Sequence, residues 1–317
     1  MKTIYLKKQT ERLLPCVATI GFFDGVHLGH RYIINKVVTM ARSESMLATI
    51  VTFARHPRQI LCPQWSPQLL STLDEKVALL SETGIDQLVV LPFDEAMAAL
   101  SARDFMREIL LQQLGVRILL TGYDNRFGRR QANQTEGFED YVGYGKEMGM
   151  TVVQGDPYDA ADIRVSSSKV RKLLAGGDVE KAAHCLGRPY QLEGLVVSGE
   201  HIGTALGFPT ANLQLSDADK LVPAAGVYAV KVRLENSTEE LHGMMNIGHR
   251  PTFGGIHQTL ETHIFHFSGN VYGRKMVVWF ISRLRPEQKF ASIEDLVRQI
   301  GMDADTAKNY NGNHWAE

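Results

Sequence analysis

The sequence predicts two dissimilar domains in series: an α/β domain built on a parallel sheet, then an antiparallel β-domain that ends in helices. Three observations carry this. Up to about residue 155, short apolar runs alternate with amphipathic stretches; from about Gly187 the helical period fades and short β-rich runs appear; and 317 residues suffice for two ordinary cores.

In the first half, apolar runs place strands at residues 17–22, 48–53, 87–91, 116–121 and 151–154. Amphipathic segments at 31–41, 74–81, 102–114 and 136–147 supply the helices between them. Such alternation gives parallel strands covered by helices, with ligands bound beyond the carboxyl ends of the strands. In the second half, β-rich runs at 192–197, 227–234, 241–247, 260–267 and 276–281 are punctuated by glycines and prolines. That texture fits a compact antiparallel barrel or sandwich. Residues 293–300 and 303–310 carry apolar residues at helical spacing, which predicts terminal helices packed on that domain. The boundary is placed between 185 and 186, giving domains 1–185 and 186–317.

Composition narrows the function. Lysine and arginine number 34 against 35 acidic residues, a net charge of −1. This balance argues against a broad electrostatic footprint for nucleic acid or an anionic membrane. With 44% hydrophobic and 22% charged residues the profile is that of a soluble globular protein. Three scattered cysteines, Cys16, Cys62 and Cys185, suggest a reducing compartment. The opening Met-Lys-Thr-Ile-Tyr-Leu-Lys-Lys has no apolar core for a secretion signal, and no run approaches a membrane span. A cytoplasmic location and small-molecule substrates are therefore expected, with no nucleic-acid or membrane partner; nothing here assigns an oligomeric state.

The densest chemistry lies at Gly21-Phe22-Phe23-Asp24-Gly25-Val26-His27-Leu28-Gly29-His30, where an apolar strand runs into a helix. Residues three apart share a helix face, and a helix start collects unpaired N–H donors with positive dipole character. His27 and His30 thus stand where phosphate would be received, or serve as surface or capping residues. A zinc site fits poorly, because the cysteines form no Cys-x-x-Cys and no third ligand lies at a usual spacing from the two histidines. Asp24 suits a turn or helix-capping carboxylate as well as a functional one.

Two further segments point the same way. Gly122-Tyr123-Asp124-Asn125-Arg126-Phe127-Gly128-Arg129-Arg130 is a glycine-bracketed basic loop after a strand. In Val165-Ser166-Ser167-Ser168-Lys169-Val170-Arg171, serines open a helix; they serve as an ordinary cap before a basic face, or leave donors that, with Arg171, hold the outer phosphates of ATP.

The pattern Gly-x-Phe-Asp-Gly-x-His-x-Gly-His, the Gly-Tyr-Asp-x-x-Phe-Gly loop and the Ser-Ser-x-x-x-Arg helix start, in this order, resemble the adenylyltransferase half of bacterial bifunctional riboflavin kinase/FAD synthetases. The second half is similar too. Gly207-Phe208-Pro209-Thr210-Ala211-Asn212-Leu213 resembles the Pro-Thr-Ala-Asn signature of the flavokinase domain. Asn246-Ile247-Gly248-His249-Arg250-Pro251-Thr252 resembles its later loop, and Leu260-Glu261-Thr262-His263 resembles the segment bearing its catalytic glutamate. The likeness runs from about residue 15 to about 300 and implies a nucleotidyltransferase-type Rossmann-like domain followed by a flavokinase β-barrel with C-terminal helices.

It also implies two reactions. The second domain would move the γ-phosphate of ATP to riboflavin, giving FMN, and the first would move AMP from a second ATP to FMN, giving FAD and pyrophosphate. Magnesium would be the cofactor. The implied catalytic residues are His27, His30, Asn125 and Glu261. Gly21, Phe22, Asp24, Gly25, Ser167, Ser168, Arg171, Gly207, Pro209, Thr210 and Asn212 would bind nucleotide, with Thr210 and Asn212 also holding the metal. His56, Arg58, Asn125 and Glu261 would contact flavin. Strand alternation sets Glu261 and His263 on one face and Leu260, Thr262 and Ile264 on the other, so Glu261 is either a base at the barrel mouth or an outward residue. Pro209-Thr210, equally, suits a plain barrel turn.

Three departures from the family pattern stand out. Phe22 occupies a position where many relatives have asparagine, Ala54-Arg55 precedes His56-Pro57 where Asp-Pro is frequent, and residues 199–207 lack the arginines that commonly flank Gly203. Arginine forks give bidentate phosphate contacts, so their absence weakens ATP binding or moves that duty to backbone amides. Two other functions compete: a single-activity nucleotidyltransferase acting on another phosphate, and a flavin-binding regulatory protein with one site inactive. The barrel signature speaks against the first, and the presence of His27, His30, Asn212 and Glu261 against the second.

Overall fold

The computed structural model describes residues 1–6, 13–62, 64, 68–123, 126–129, 136–160, 163–199, 202–252 and 255–310. It divides into two compact units, Met1–Ser166 and Ser167–Glu317.

The first unit is a parallel sheet of six strands, β1 (Lys2–Tyr5), β2 (Cys16–Ile20), β3 (Leu47–Phe53), β4 (Gln87–Leu91), β5 (Val116–Thr121) and β6 (Thr151–Gln154), in the order β1-β4-β3-β2-β5-β6. Helices α1 (Leu28–Ser43), α2 (Pro57–Leu61), α3 (Leu73–Ser81), α4 (Glu95–Ala99), α5 (Ala102–Asp104) and α6 (Phe138–Met148) run between strands, and α5 continues into a π-helical stretch at Phe105–Gln113. Alternate residues of the central strands enter opposite cores. Val51, Phe53, Val89 and Leu91 pack on one face with Phe105, Met106 and Tyr141, while Ile50, Leu88 and Val90 pack on the other with Val26 and Ile34. Strands buried on both faces need continuous apolar runs, which is what the sequence shows there.

Strand order reverses between β2 and β5, so the crevice at their carboxyl ends is the favoured ligand position of this architecture. The turn after β2 falls there. A two-residue ribbon, β7 (Asp159–Ala160) with β8 (Ile163–Arg164), completes the unit. β1 was not expected: it is a four-residue edge strand whose lysine and tyrosine show no apolar alternation.

The second unit opens with α7 (Ser167–Ala175) and α8 (Val179–Leu186). A closed antiparallel barrel follows, built from β9 (Tyr190–Val197), β10 (Ala211–Leu215), β11 (Gly226–Leu234), β12 (Leu241–Thr252), β13 (Gly255–Ile264) and β14 (Lys275–Pro286), in the order β10-β13-β12-β11-β14-β9. A short α9 (Ile202–Ala205) precedes β10, and α10 (Ile293–Lys308) ends the unit. Closure removes the exposed edges an open sheet would leave.

Two expectations are corrected. The terminal helices are one continuous helix, because buried Ala304 and Ala307 on the barrel outweigh the cost of Gly301 inside it. Sequence reading also missed β10, since Pro209-Thr210 reads as a turn while its pairing partners are distant in the chain.

The helix pair α7–α8 belongs to the barrel unit. Val170, Leu174, Val179 and Ala182 are fully buried, the Leu174 carbonyl accepts the Ala224 N–H, and the Glu180 carboxylate accepts the hydroxyls of Ser282 at 2.6 Å and Tyr310 at 3.1 Å.

Candidate active sites

In the first unit the site begins where β2 ends. The turn Asp24–Val26 has positive φ at Phe23 (52°), Gly25 (77°) and Val26 (41°). A β-branched residue such as Val26 rarely takes that conformation, and strain of this kind concentrates at functional turns. Asp24 is 3% exposed, and its carboxylate accepts the N–H groups of Leu70 and Ser71. Its seen role is to brace the turn.

The strained turn delivers His27 to the N-cap of α1, where its Nδ1 accepts the His30 N–H at 3.2 Å. An accepting Nδ1 fixes the neutral tautomer with the proton on Nε2. The two imidazoles stack, with ring centres 3.6 Å apart and planes 16° apart, and Phe23 meets His30 edge-on at 5.1 Å. The capping role expected of His27 is therefore seen, through Nδ1.

Beside the turn opens a cavity of about 590 Å3 lined by Gly21, Phe22, Phe53, His56, Phe93, Phe105, Arg126, Phe127 and Arg129 among others. Aromatic walls with two guanidinium groups suit a flat, anionic ligand. His56 caps α2 by accepting the Arg58 N–H, and its ring meets Phe22 at 4.6 Å. Arg58 stands in the first turn of α2 and is not among the lining residues. Asn125 lies outside the described residues. Its loop neighbours Arg126 and Arg129 reach the cavity instead, and sequence reasoning missed them although it singled out the loop. Gly128 makes this possible: φ is +86°, and a Cβ there would stand 2.3 Å from the Ala102 nitrogen.

Under this floor lies Lys76, 1% exposed. Burial pushes its ammonium down to a pKa of about 8, with the charge of Asp24 opposing the shift.

Ser167, Ser168 and Arg171 form the first turns of α7 in the second compact unit, with Val170 buried beneath them.

In the second unit a cavity of about 290 Å3 lies against β12, β13 and α10. Its lining is mixed: Thr210, Asn246, Thr259, Glu261 and His263 are polar, and Met244, Phe290, Leu296 and Ile300 are apolar. Glu261 thus faces a cavity, while Leu260, Thr262 and Ile264 are buried on the opposite face of β13. Asn212 pairs with Glu261 across β10–β13, and Asn246 with Glu261 across β12–β13. Residues directly opposed in antiparallel strands share a face, so three polar side chains form one row. Asn246 lay in a recognised motif but was not singled out, because register is invisible in sequence.

The loop before β10 is held closely. His263 Nδ1 donates to the Pro209 carbonyl at 2.8 Å, and a Cβ on Gly199 would stand 2.2 Å from Asn212 Nδ2. Gly207 turns the chain at φ +84°. Arg285 and Asp303 form a paired bridge with contacts of 2.8 to 3.1 Å and pin α10 against β14. For metal binding, Thr210, Asn212 and Glu261 offer hard oxygen donors, which fit magnesium bound mainly through phosphate and water. Among the described residues no cluster of three or more histidine, cysteine or acidic side chains could hold a metal, and the three cysteines are free.

Comparison with known proteins agrees with this division. A FAD synthetase family model matches residues 9–169, and a riboflavin kinase family model matches residues 186–311. A bifunctional riboflavin kinase/FMN adenylyltransferase of Haemophilus influenzae is 37% identical over 94% of this chain and 95% of its own length. The chain belongs to the bifunctional riboflavin kinase/FMN adenylyltransferase family. Its counterpart in Escherichia coli is 36% identical over 94% of this chain and 93% of that protein. A crystal structure described as a macrolide-efflux protein from Streptococcus pneumoniae shares the fold, with a TM-score of 0.87, 28% identity, and coverage of 98% of this chain and 100% of that one. No helix among the described residues here is long and apolar enough to cross a membrane. Residues 170–185, between the two family matches, carry most of α7 and α8.

Proposed function

We infer that the chain makes FAD in two steps: ATP-dependent phosphorylation of riboflavin in the barrel unit, and adenylyl transfer from ATP to FMN in the α/β unit. The observation that carries this is the pairing of two chemically distinct cavities with the two family matches, each in its own compact unit.

In the barrel unit, the apolar side chains of the cavity receive the flavin ring and its polar side chains the ribityl chain. Glu261 takes the proton of the ribityl 5′-hydroxyl as the hydroxyl oxygen attacks the γ-phosphorus of ATP, whose bond to the β–γ bridging oxygen breaks to release ADP. Thr210 and Asn212 hold magnesium, which supplies charge neutralisation on the phosphates when bound. His263 keeps Pro209, and with it Thr210, in place.

In the α/β unit, the FMN phosphate attacks the α-phosphorus of a second ATP. Negative charge builds on the nonbridging oxygens and on the leaving pyrophosphate. His27, through Nε2–H, and His30, at the start of α1, meet that charge. Gly21 and Phe22 line the approach and Arg126 and Arg129 attract the FMN phosphate; for Asn125 the family resemblance implies a polar contact. Neither reaction needs a protein nucleophile.

We place these reactions in the cytoplasm, where free cysteines persist. Incubation with riboflavin, ATP and magnesium, followed by chromatography, tests the assignment: FMN appears first and FAD follows. Absence of both products overturns it.

A further inference from the structure

Lys76 stands on the second turn of α3, fully buried, and its ammonium donates to the Phe22 carbonyl at 2.9 Å. Longer contacts of 3.5 Å reach Thr52 Oγ1 and the Phe53 carbonyl. The same ammonium lies 3.7 Å from the centre of the Phe22 ring. One buried cation therefore grips the carboxyl ends of two adjacent strands, β2 and β3, at the edge where the 590 Å3 cavity opens.

A desolvated ammonium is a costly way to join two strands. An unbranched apolar side chain of similar length would fill the space without that cost, and such replacements are often neutral or stabilising. What the lysine adds is control over Phe22. The ring is held by the cation and by the edge of His56, and both rings line the cavity. An aromatic wall fixed in advance binds a flat ring more tightly than a mobile one, because little freedom is lost on binding.

We propose that Lys76 is a positioning residue of the adenylyl-transfer site, tying the ends of β2 and β3 together and seating the Phe22 ring as the wall that receives the flavin of FMN. This rests on the assignment of that cavity to FMN. Phe22 is on this account a specificity feature of the site.

The test uses the full chain, measuring FAD formation from FMN, with riboflavin phosphorylation in the same preparation as the reference. Lys76→Met should raise KM for FMN roughly five- to tenfold and leave kcat and KM for ATP within about twofold, the pattern of lost uniform binding. Phe22→Leu should likewise raise KM for FMN roughly five- to tenfold. Because both act through one ring, the double variant should exceed neither single by more than about twofold. An unchanged KM for FMN in either folded variant overturns the proposal, as do fully additive effects. Should Lys76→Met not fold, Phe22→Leu, which keeps the carbonyl bond, decides alone: a raised KM upholds the proposal and an unchanged one overturns it. A wild-type chain that makes no FAD from FMN would refute the site assignment itself, an outcome separate from these.

Discussion

Asn212 and Glu261 are cross-strand partners on one face of the barrel, joined by the pairing of β10 with β13. Asn246 continues the row on β12. Glu261 is thus a carboxylate flanked by two amides, on the lining of a cavity, which is the setting in which the proposed function makes it the proton acceptor.

Glu261→Gln keeps size and hydrogen bonding but removes proton acceptance. Riboflavin phosphorylation should fall by about a hundredfold or more, with riboflavin and ATP still bound. Rates across a magnesium titration check the role. Recovery at high magnesium would make Glu261 a metal ligand, and a near-wild-type rate would remove it from the mechanism.

The cap at His27 and its proposed donor role can be separated. His27→Asn retains an acceptor for the α1 cap, whereas His27→Ala loses it at a cost of about 1 kcal/mol. FAD formation from FMN should fall by on the order of a hundredfold in both, since neither keeps the Nε2 donor. Thermal melts and steady-state rates read the two effects apart. Full activity in the asparagine variant would reduce His27 to a cap.

The helix pair α7–α8 predicts where the kinase unit should be cut. Fragments 167–317 and 186–317 should both make FMN and no FAD. The longer should melt about 5 °C or more above the shorter, because removing the pair strips Leu174 and Val179 from the barrel and takes Glu180 from Ser282 and Tyr310. Equal melting temperatures would contradict this packing.

Much of this architecture was legible in the chain. Apolar runs mark the central strands because both their faces are buried, and the glycine-histidine turn marks the end of β2 because a reversing backbone and a helix start leave residue-level traces. What stayed hidden is what register and burial decide. Asn246 joins Glu261 only once β12 and β13 are paired, β10 hides behind a proline, and a buried lysine such as Lys76 reads in sequence as one more polar helix residue. Arg126 and Arg129 reach their cavity through the turn at Gly128, which spacing alone does not reveal.

Lys76 also predicts a pH dependence. Its pKa is about 8 when folded against 10.5 when free, so between these values the unfolded chain binds the extra proton and stability rises with pH. Below about pH 8 the burial penalty is present in full. Lys76→Met should therefore be more stable than wild type at pH 7, by about 3 kcal/mol at most, and the gap should close as pH rises from 8 toward 10.5. Urea unfolding at pH 7 and pH 10 measures it; a gap that widens with pH would contradict the burial of a charged group.

The central claim, two independent sites in series with FMN as the shared intermediate, is tested most directly by mixing two inactive-site variants. His30→Ala alone should convert riboflavin to FMN and stop, and Glu261→Gln alone should make FAD only when FMN is supplied. The mixture, given riboflavin, ATP and magnesium, should produce FAD at a rate well above the sum of the two. A mixture that makes no more FAD than its separate components, while each still performs its own half-reaction, would contradict two sites joined by free FMN.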